Sequence, residues 1–176
     1  MMRRGFTVVE LIITITIVGI LLAVAFVSLG ASQISGRDDE RASDVETIAT
    51  YLETYYNQGG TNDYISEYVA AYPAVFSMSS ETTIKESLAG IDPKSLLAPG
   101  TTNVTSSFLM ASNSDQNPAN VSPSPTIHTY VYQPLNKYGD LCLYPSPPST
   151  DECRKFNLYY RLESDNSIQK ITSKHQ

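Results

Sequence analysis

The sequence predicts an α+β fold in which one long N-terminal helix, half membrane-spanning and half amphipathic, packs on a small antiparallel sheet. Three observations carry this. An apolar run opens the chain, a stripe of apolar residues at spacings of three and four follows it, and period-two alternation is confined to the last fifty residues. Twelve Lys+Arg against eighteen Asp+Glu give a net charge of −6 in 176 residues. That balance lacks the basic footprint of a general nucleic-acid binder. Charged residues make up only 17% of the chain, which excludes a charge-rich disordered protein.

The first element is the apolar run. Between Gly5 and Gly36 the only ionisable side chain is Glu10. Residues 6–31 as a helix reach about 39 Å, more than the roughly 30 Å of a bilayer core. Arg3 and Arg4 precede the run and favour a cytoplasmic N-terminus, with the body on the other side. A cleaved secretory peptide is the simplest competing reading, with Ala31-Ser32-Gln33 as an imitation of its cleavage site. Such peptides have a shorter apolar core, of about 7–15 residues. A plain membrane anchor leaves Glu10 unexplained, because an unpaired carboxylate facing lipid is costly. A cut between Gly5 and Phe6 would place a new α-amine four residues before Glu10, in the same chain or in a neighbour packed beside it.

The second element continues the first. Ala42, Val45, Ile48, Ala49, Leu52 and Tyr56 form one apolar stripe. Arg37, Asp38, Glu40, Arg41, Asp44, Glu46 and Glu53 are expected mostly on the solvated side. Arg37 with Arg41, and Glu40 with Asp44, are like-charge pairs that contribute no local stabilisation. Pairing of these charges between subunits is the alternative reading. Gln58-Gly59-Gly60 is a stop signal.

The remainder is a polar body. Residues 58–125 read as connector and loop, with a short helix at 80–88 capped by Ser80 or Glu81, turns at Asp92-Pro93 and Pro99-Gly100, and an exposed Ser/Thr/Asn/Pro-rich loop over 101–126 pinned by a strand at 107–110. Asn103 and Asn120 begin glycosylation triplets of a kind that arise often by chance. Asn113, Asp115 and Asn117 read as turn chemistry. Residues 126–176 supply strands at 126–133, 140–144, 156–162 and 167–172. Twelve Tyr and no Trp suit a half-exposed sheet with wet hydroxyls. His128 reads as structural and His175 as frayed.

Cys142 and Cys153 flank a turn-rich segment with Pro145, Pro147 and Pro148. Free thiols are one reading. An even cysteine count beyond the membrane favours a disulfide, which would contribute roughly 3 kcal/mol for a loop of this size. No metal site is expected. Asp140, Asp151 and Glu152 surround the loop without ligand spacing, and a solvated acidic loop is the reading preferred over calcium. No phosphate loop, nucleophile elbow or zinc-binding HExxH is present, so neither an enzyme nor a cofactor is expected.

The segment Arg3-Arg4-Gly5-Phe6-Thr7-Val8-Val9-Glu10-Leu11 resembles the prepilin processing motif of type IV pilins and type II secretion pseudopilins. Gly19 matches a glycine common in that helix. The resemblance implies a pilin-like fold, a leader of residues 1–5, cleavage by prepilin peptidase between Gly5 and Phe6, methylation of Phe6, and Glu10 as the assembly carboxylate. It also implies residues 6–31 as the transmembrane and assembly half of a helix whose amphipathic half is 32–57, and a Cys142–Cys153 disulfide loop on the sheet. Implied partners are membrane lipid, copies of itself and other pilins, a membrane platform and an assembly ATPase. The implied location is the cytoplasmic membrane, then an extracellular filament. The expected function is a structural subunit of a pilus, for adhesion, motility or DNA uptake, with a secretion pseudopilus subunit as the alternative. From another class, the alternative is a membrane-anchored binding protein that does not polymerise. Many filament-forming members carry proline at the position of Val27, and no proline occurs here before Pro73.

Overall fold

The computed structural model describes residues 7–58, 71–144 and 152–175. Gly5, Phe6, Gly59, Gly60, Asp151 and most of the connector stretch expected over 62–72 lie outside them, as do the prolines between the cysteines.

Helix α1 spans Val8–Gln58, 51 residues and about 77 Å long. It has no proline to interrupt its hydrogen bonds, and Gly19, Gly30 and Gly36 all remain helical. Packing divides it. Residues 7–24 and 29–33 are exposed, and among the described side chains the first buried one is Asp38. Beyond it Val45, Ile48 and Leu52 are fully buried, with Ala42, Ala49 and Tyr56 packed beside them. The predicted stripe is therefore the seam.

The chain then passes under the helix in short pieces. Helix α2, Glu81–Ser87, starts at a capping box between Ser80 and Thr83. A 3₁₀ turn at Pro93–Leu96 is capped by Asp92. Helix α3, Val104–Ser107, is capped by Asn103, whose side chain accepts from the amides of Thr105 and Ser106. Strand β1, Phe108–Met110, lies where a pinning strand is expected.

Strands β2 (Tyr130–Asn136), β3 (Cys153–Arg161) and β4 (Ile168–Thr172) complete a sheet of order β1-β2-β3-β4. The last three pair antiparallel, but β1 pairs parallel with β2, Leu109 opposite Val131. The sheet is mixed, not antiparallel as expected. The intervening residues 111–129 are long enough for the return crossover that a parallel pair requires. The 140–144 segment forms no strand; it joins β2 through one bridge, Leu135 to Leu141, and a Cys142 amide bond to the Pro134 carbonyl.

Alternation assigns the two faces. Tyr130, Tyr132, Phe156, Leu158 and Tyr160 share a core with α1, while Val131 and Tyr159 meet Ala111 and Val121 on the opposite face. The 101–126 segment is thus a cover for the sheet as well as an exposed loop. Gln133 is fully buried and holds that cover, donating to the Asn113 and Asp115 carbonyls and accepting from Asn157 and Tyr159. Asn113, Asp115 and Asn117 serve as turn residues; Asp115 caps the amide of Asn117.

The tyrosines correct the picture of a wet sheet. Tyr130, Tyr132 and Tyr159 are fully buried. Each hydroxyl donates internally, to Asp44, to the Pro73 carbonyl and to Gln133. A buried hydroxyl without a partner costs about 1–3 kcal/mol, so each ring is fixed by its acceptor. Burial pushes the Tyr159 hydroxyl up to about 12.

Candidate functional site

The N-terminus of α1 carries the first site. Thr7 and Glu10 form a reciprocal cap: the Thr7 amide and hydroxyl donate to Glu10 Oε2 at 2.9 and 2.8 Å, and the Glu10 amide reaches Thr7 Oγ1 at 3.3 Å. The Thr-x-x-Glu spacing is a capping-box signature that the amine-pairing reading of Glu10 overlooked. The cap holds the carboxylate against the helix end, where the macrodipole favours negative charge. Around it Val8, Val9, Leu11, Ile12 and Ile13 are more than half exposed. Thr14 and Thr16 return their hydroxyls to backbone carbonyls one turn back, so these polar groups are satisfied without water.

The helix is long and apolar enough to cross a membrane. Residues 1–26 match the family model described as the prokaryotic N-terminal methylation motif. The chain carries a prepilin motif. The motif supports a precursor of type IV pilin or pseudopilin type, points to a structural protein, and implies processing by prepilin peptidase and assembly into filaments. The apolar helix and the motif together fit a membrane-anchored protein. Neither curated proteins nor solved structures offer a match to this chain.

The second site is the junction where the bare half of α1 meets the head. Arg37 donates through Nε and Nη2 to both oxygens of Glu163, at 2.8 and 2.5 Å. Arg41, 1% exposed, bonds Asp38, Glu163 and the Ile127 carbonyl. Asp38 accepts the amides of Glu163 and Ser164 at 2.7 and 3.0 Å, capping the β3–β4 turn. This charge run is neither a solvated face nor unpaired like charges; it is an intramolecular clamp. Hydrogen bonds from Arg37, then Arg41, pull the Glu163 carboxyl down to about 2. Burial works to raise the carboxyl of Asp38, but the Glu163 and Ser164 hydrogen bonds outweigh it and the net direction is down.

Higher on the seam, Asp44 and Glu53 are also buried rather than solvated. Burial lifts Asp44 to about 6 despite the 2.8 Å bond from the Tyr130 hydroxyl. Glu53 accepts from the Tyr72 hydroxyl and the Lys174 amide. His175, expected to fray, stacks on Tyr56 with ring centroids 4.2 Å apart. His128 is structural, its Nδ1 3.1 Å from the Pro99 carbonyl.

Cys142 and Cys153 are both 3% exposed and lie in one core cluster. Cys153 faces Asn136 at the end of β2, and the Cys142 amide bonds the Pro134 carbonyl two residues earlier. Both flank the same strand end. Among the described residues no group of three or more His, Cys, Asp or Glu is arranged to hold a metal.

Proposed function

We propose that the mature chain is a structural subunit of a type IV pilus-like filament, polymerised through its N-terminal helix. Prepilin peptidase cuts between Gly5 and Phe6, Phe6 is methylated, and Glu10 is the assembly carboxylate. The observation that carries this reading is the exposure of the apolar half of α1 beside a head that is complete without it. So large an apolar surface requires lipid or other subunits around it. A helix capped by a carboxylate in that environment favours a neighbour that neutralises the charge. In this reading lipid surrounds the helix first and neighbouring subunits replace it, with the N-terminus inside and the head outside the cytoplasm. A membrane platform and an ATPase drive the transfer. The head then carries the pilus function, and Cys142 and Cys153 form a disulfide that closes the loop at the end of β2.

The mass of the N-terminal peptide from the native host tests the processing step. A peptide beginning at methylated Phe6 is expected. A mature membrane protein that retains Met1 or Met2 overturns it and leaves an anchored binding protein. A peptide map without reductant tests the bridge; alkylation of both cysteines in the mature protein rules it out.

A further inference from the structure

At the end of the head farthest from the apolar half of α1, an open cleft of about 500 Å³ is lined by Tyr56, Lys137, Arg154, Lys155 and His175. It lies about 30 Å along the helix from Gly36. Its residues converge from four parts of the chain. Tyr56 is in the last turns of α1, and Arg154 and Lys155 open β3. Lys137 follows β2 in a tight turn whose amides at Tyr138 and Asp140 both bond the Asn136 side chain. Gly139, at φ +93°, permits that turn. His175 is held in place by its stack on Tyr56 and by Glu53, which accepts the neighbouring Lys174 amide.

In a chain of net charge −6, this cleft gathers three permanent cations and an imidazole. Arg154 is engaged by Glu152 and by the Tyr56 hydroxyl. Of the acids nearby, Glu53 is occupied by Tyr72 and Lys174, with His175 Nε2 3.5 Å away, and Asp140, in the Lys137 turn, accepts from the Asn136 side chain. Lys137 and Lys155 are different. Among the described residues neither ammonium has a carboxylate partner; Lys137 lies over its neighbour Tyr138, 4.8 Å from the ring centroid. By register Lys155 sits opposite Leu135, two residues before Lys137, so both lysines stand at one strand end.

We infer that this cleft binds an acidic saccharide, its carboxylate set between Lys137 and Lys155 and its ring against the exposed side of His175, which Tyr56 backs. The volume is more than enough to admit one sugar residue. Clefts that combine ring surface with a few polar groups are the usual form of a small-ligand site. The chain's net negative charge repels a long polyanion and so favours a single carboxylated sugar over a nucleic-acid strand. The inference concerns the head alone and stands whether or not the chain polymerises.

The test uses the full chain in detergent micelles, with saturation-transfer NMR and titration of glucuronate, glucose, inorganic phosphate and a dT20 oligonucleotide. Glucuronate is expected to bind with a Kd on the order of 1 mM, as befits so small a ligand, and glucose at least tenfold more weakly. Lys137→Gln with Lys155→Gln is expected to weaken glucuronate binding about tenfold. These side chains are not part of the core, and an unchanged circular dichroism melt verifies folding. Lys170→Gln, on β4, is expected to leave binding unchanged. Equal binding of glucose and glucuronate, or binding indifferent to the double substitution, overturns the assignment. So does tighter binding of phosphate or of the oligonucleotide, which would make the cleft a phosphate or nucleic-acid site.

Discussion

The two halves of α1 share one backbone and obey different rules. In residues 8–33 no described side chain is buried, and the polar groups of Thr14 and Thr16 turn inward to the helix itself. From Asp38 onward nearly every turn sends a side chain into the head, and four of the buried ones are charged. The first half is a helix by internal hydrogen bonding. The second is held by tertiary contacts. A single continuous helix therefore conceals two separate energetic units, and substitutions should separate them.

The sharpest break is at Glu10. Glu10→Ala is expected to abolish filament assembly, scored by electron microscopy and shear fractions, while the thermal midpoint of the head stays unchanged. A drop in that midpoint would mean the halves are coupled. Next is Arg41→Ala, which strips the clamp of its buried cation and leaves Asp38 and Glu163 short of a partner. Loss of one member of such a buried pair costs about 3 kcal/mol or more. Denaturant unfolding of the head should show it, with Leu52→Ala giving a similar loss of about 2–5 kcal/mol by cavity formation.

The pH dependence sharpens the contrast, since every shifted carboxyl outside the apolar half belongs to the packed one or to the head. Asp44 is raised to about 6, so the folded head holds this proton more tightly than the unfolded chain. Its contribution is fully present below about pH 4 and is lost as pH rises through about 6. Glu163 is depressed to about 2, so its contribution is present above about pH 4.5 and is lost as pH falls toward 2. Head stability measured against pH should therefore fall on both sides. Asp44→Asn should flatten the upper slope and Glu163→Gln the lower. The smallest effect is expected at Gly30→Ala, where nothing lies within 4 Å of an added Cβ. It should raise helix content in micelles, worth about 1 kcal/mol, and leave head unfolding untouched.

How much of this was legible follows from where each signal lies. Helix α1, its stripe and β3 announce themselves because periodicity is local. The cap of α2 at Ser80 is local too. The parallel pairing of β1 is not, since nothing in Phe108-Leu109-Met110 encodes direction. The clamp was missed for a similar reason: Arg37 and Glu163 are 126 residues apart, and on the helix alone Arg37 sees only Glu40 and Arg41 ahead of it. One clue was available. Asp38, Arg41, Val45, Ile48 and Leu52 run at spacings of three and four, so the charges continue the buried stripe rather than oppose it. The wet-hydroxyl expectation failed likewise, because Tyr130 finds Asp44 from 86 residues away. The prepilin motif is legible because its chemistry is contiguous; the saccharide cleft is not, because its walls meet only in the fold.

The clamp also gives the head a point of mechanical attachment. A pull on the apolar half travels along a continuous helix and first meets the head at Arg37, Asp38 and Arg41. These grip the turn between β3 and β4, so the load enters the sheet through a hairpin tip and runs along its strands. Strands loaded along their length share force among many ladder hydrogen bonds, whereas strands peeled from the edge yield one bond at a time. By fastening the helix at that turn, three side chains set the direction in which the whole domain bears tension.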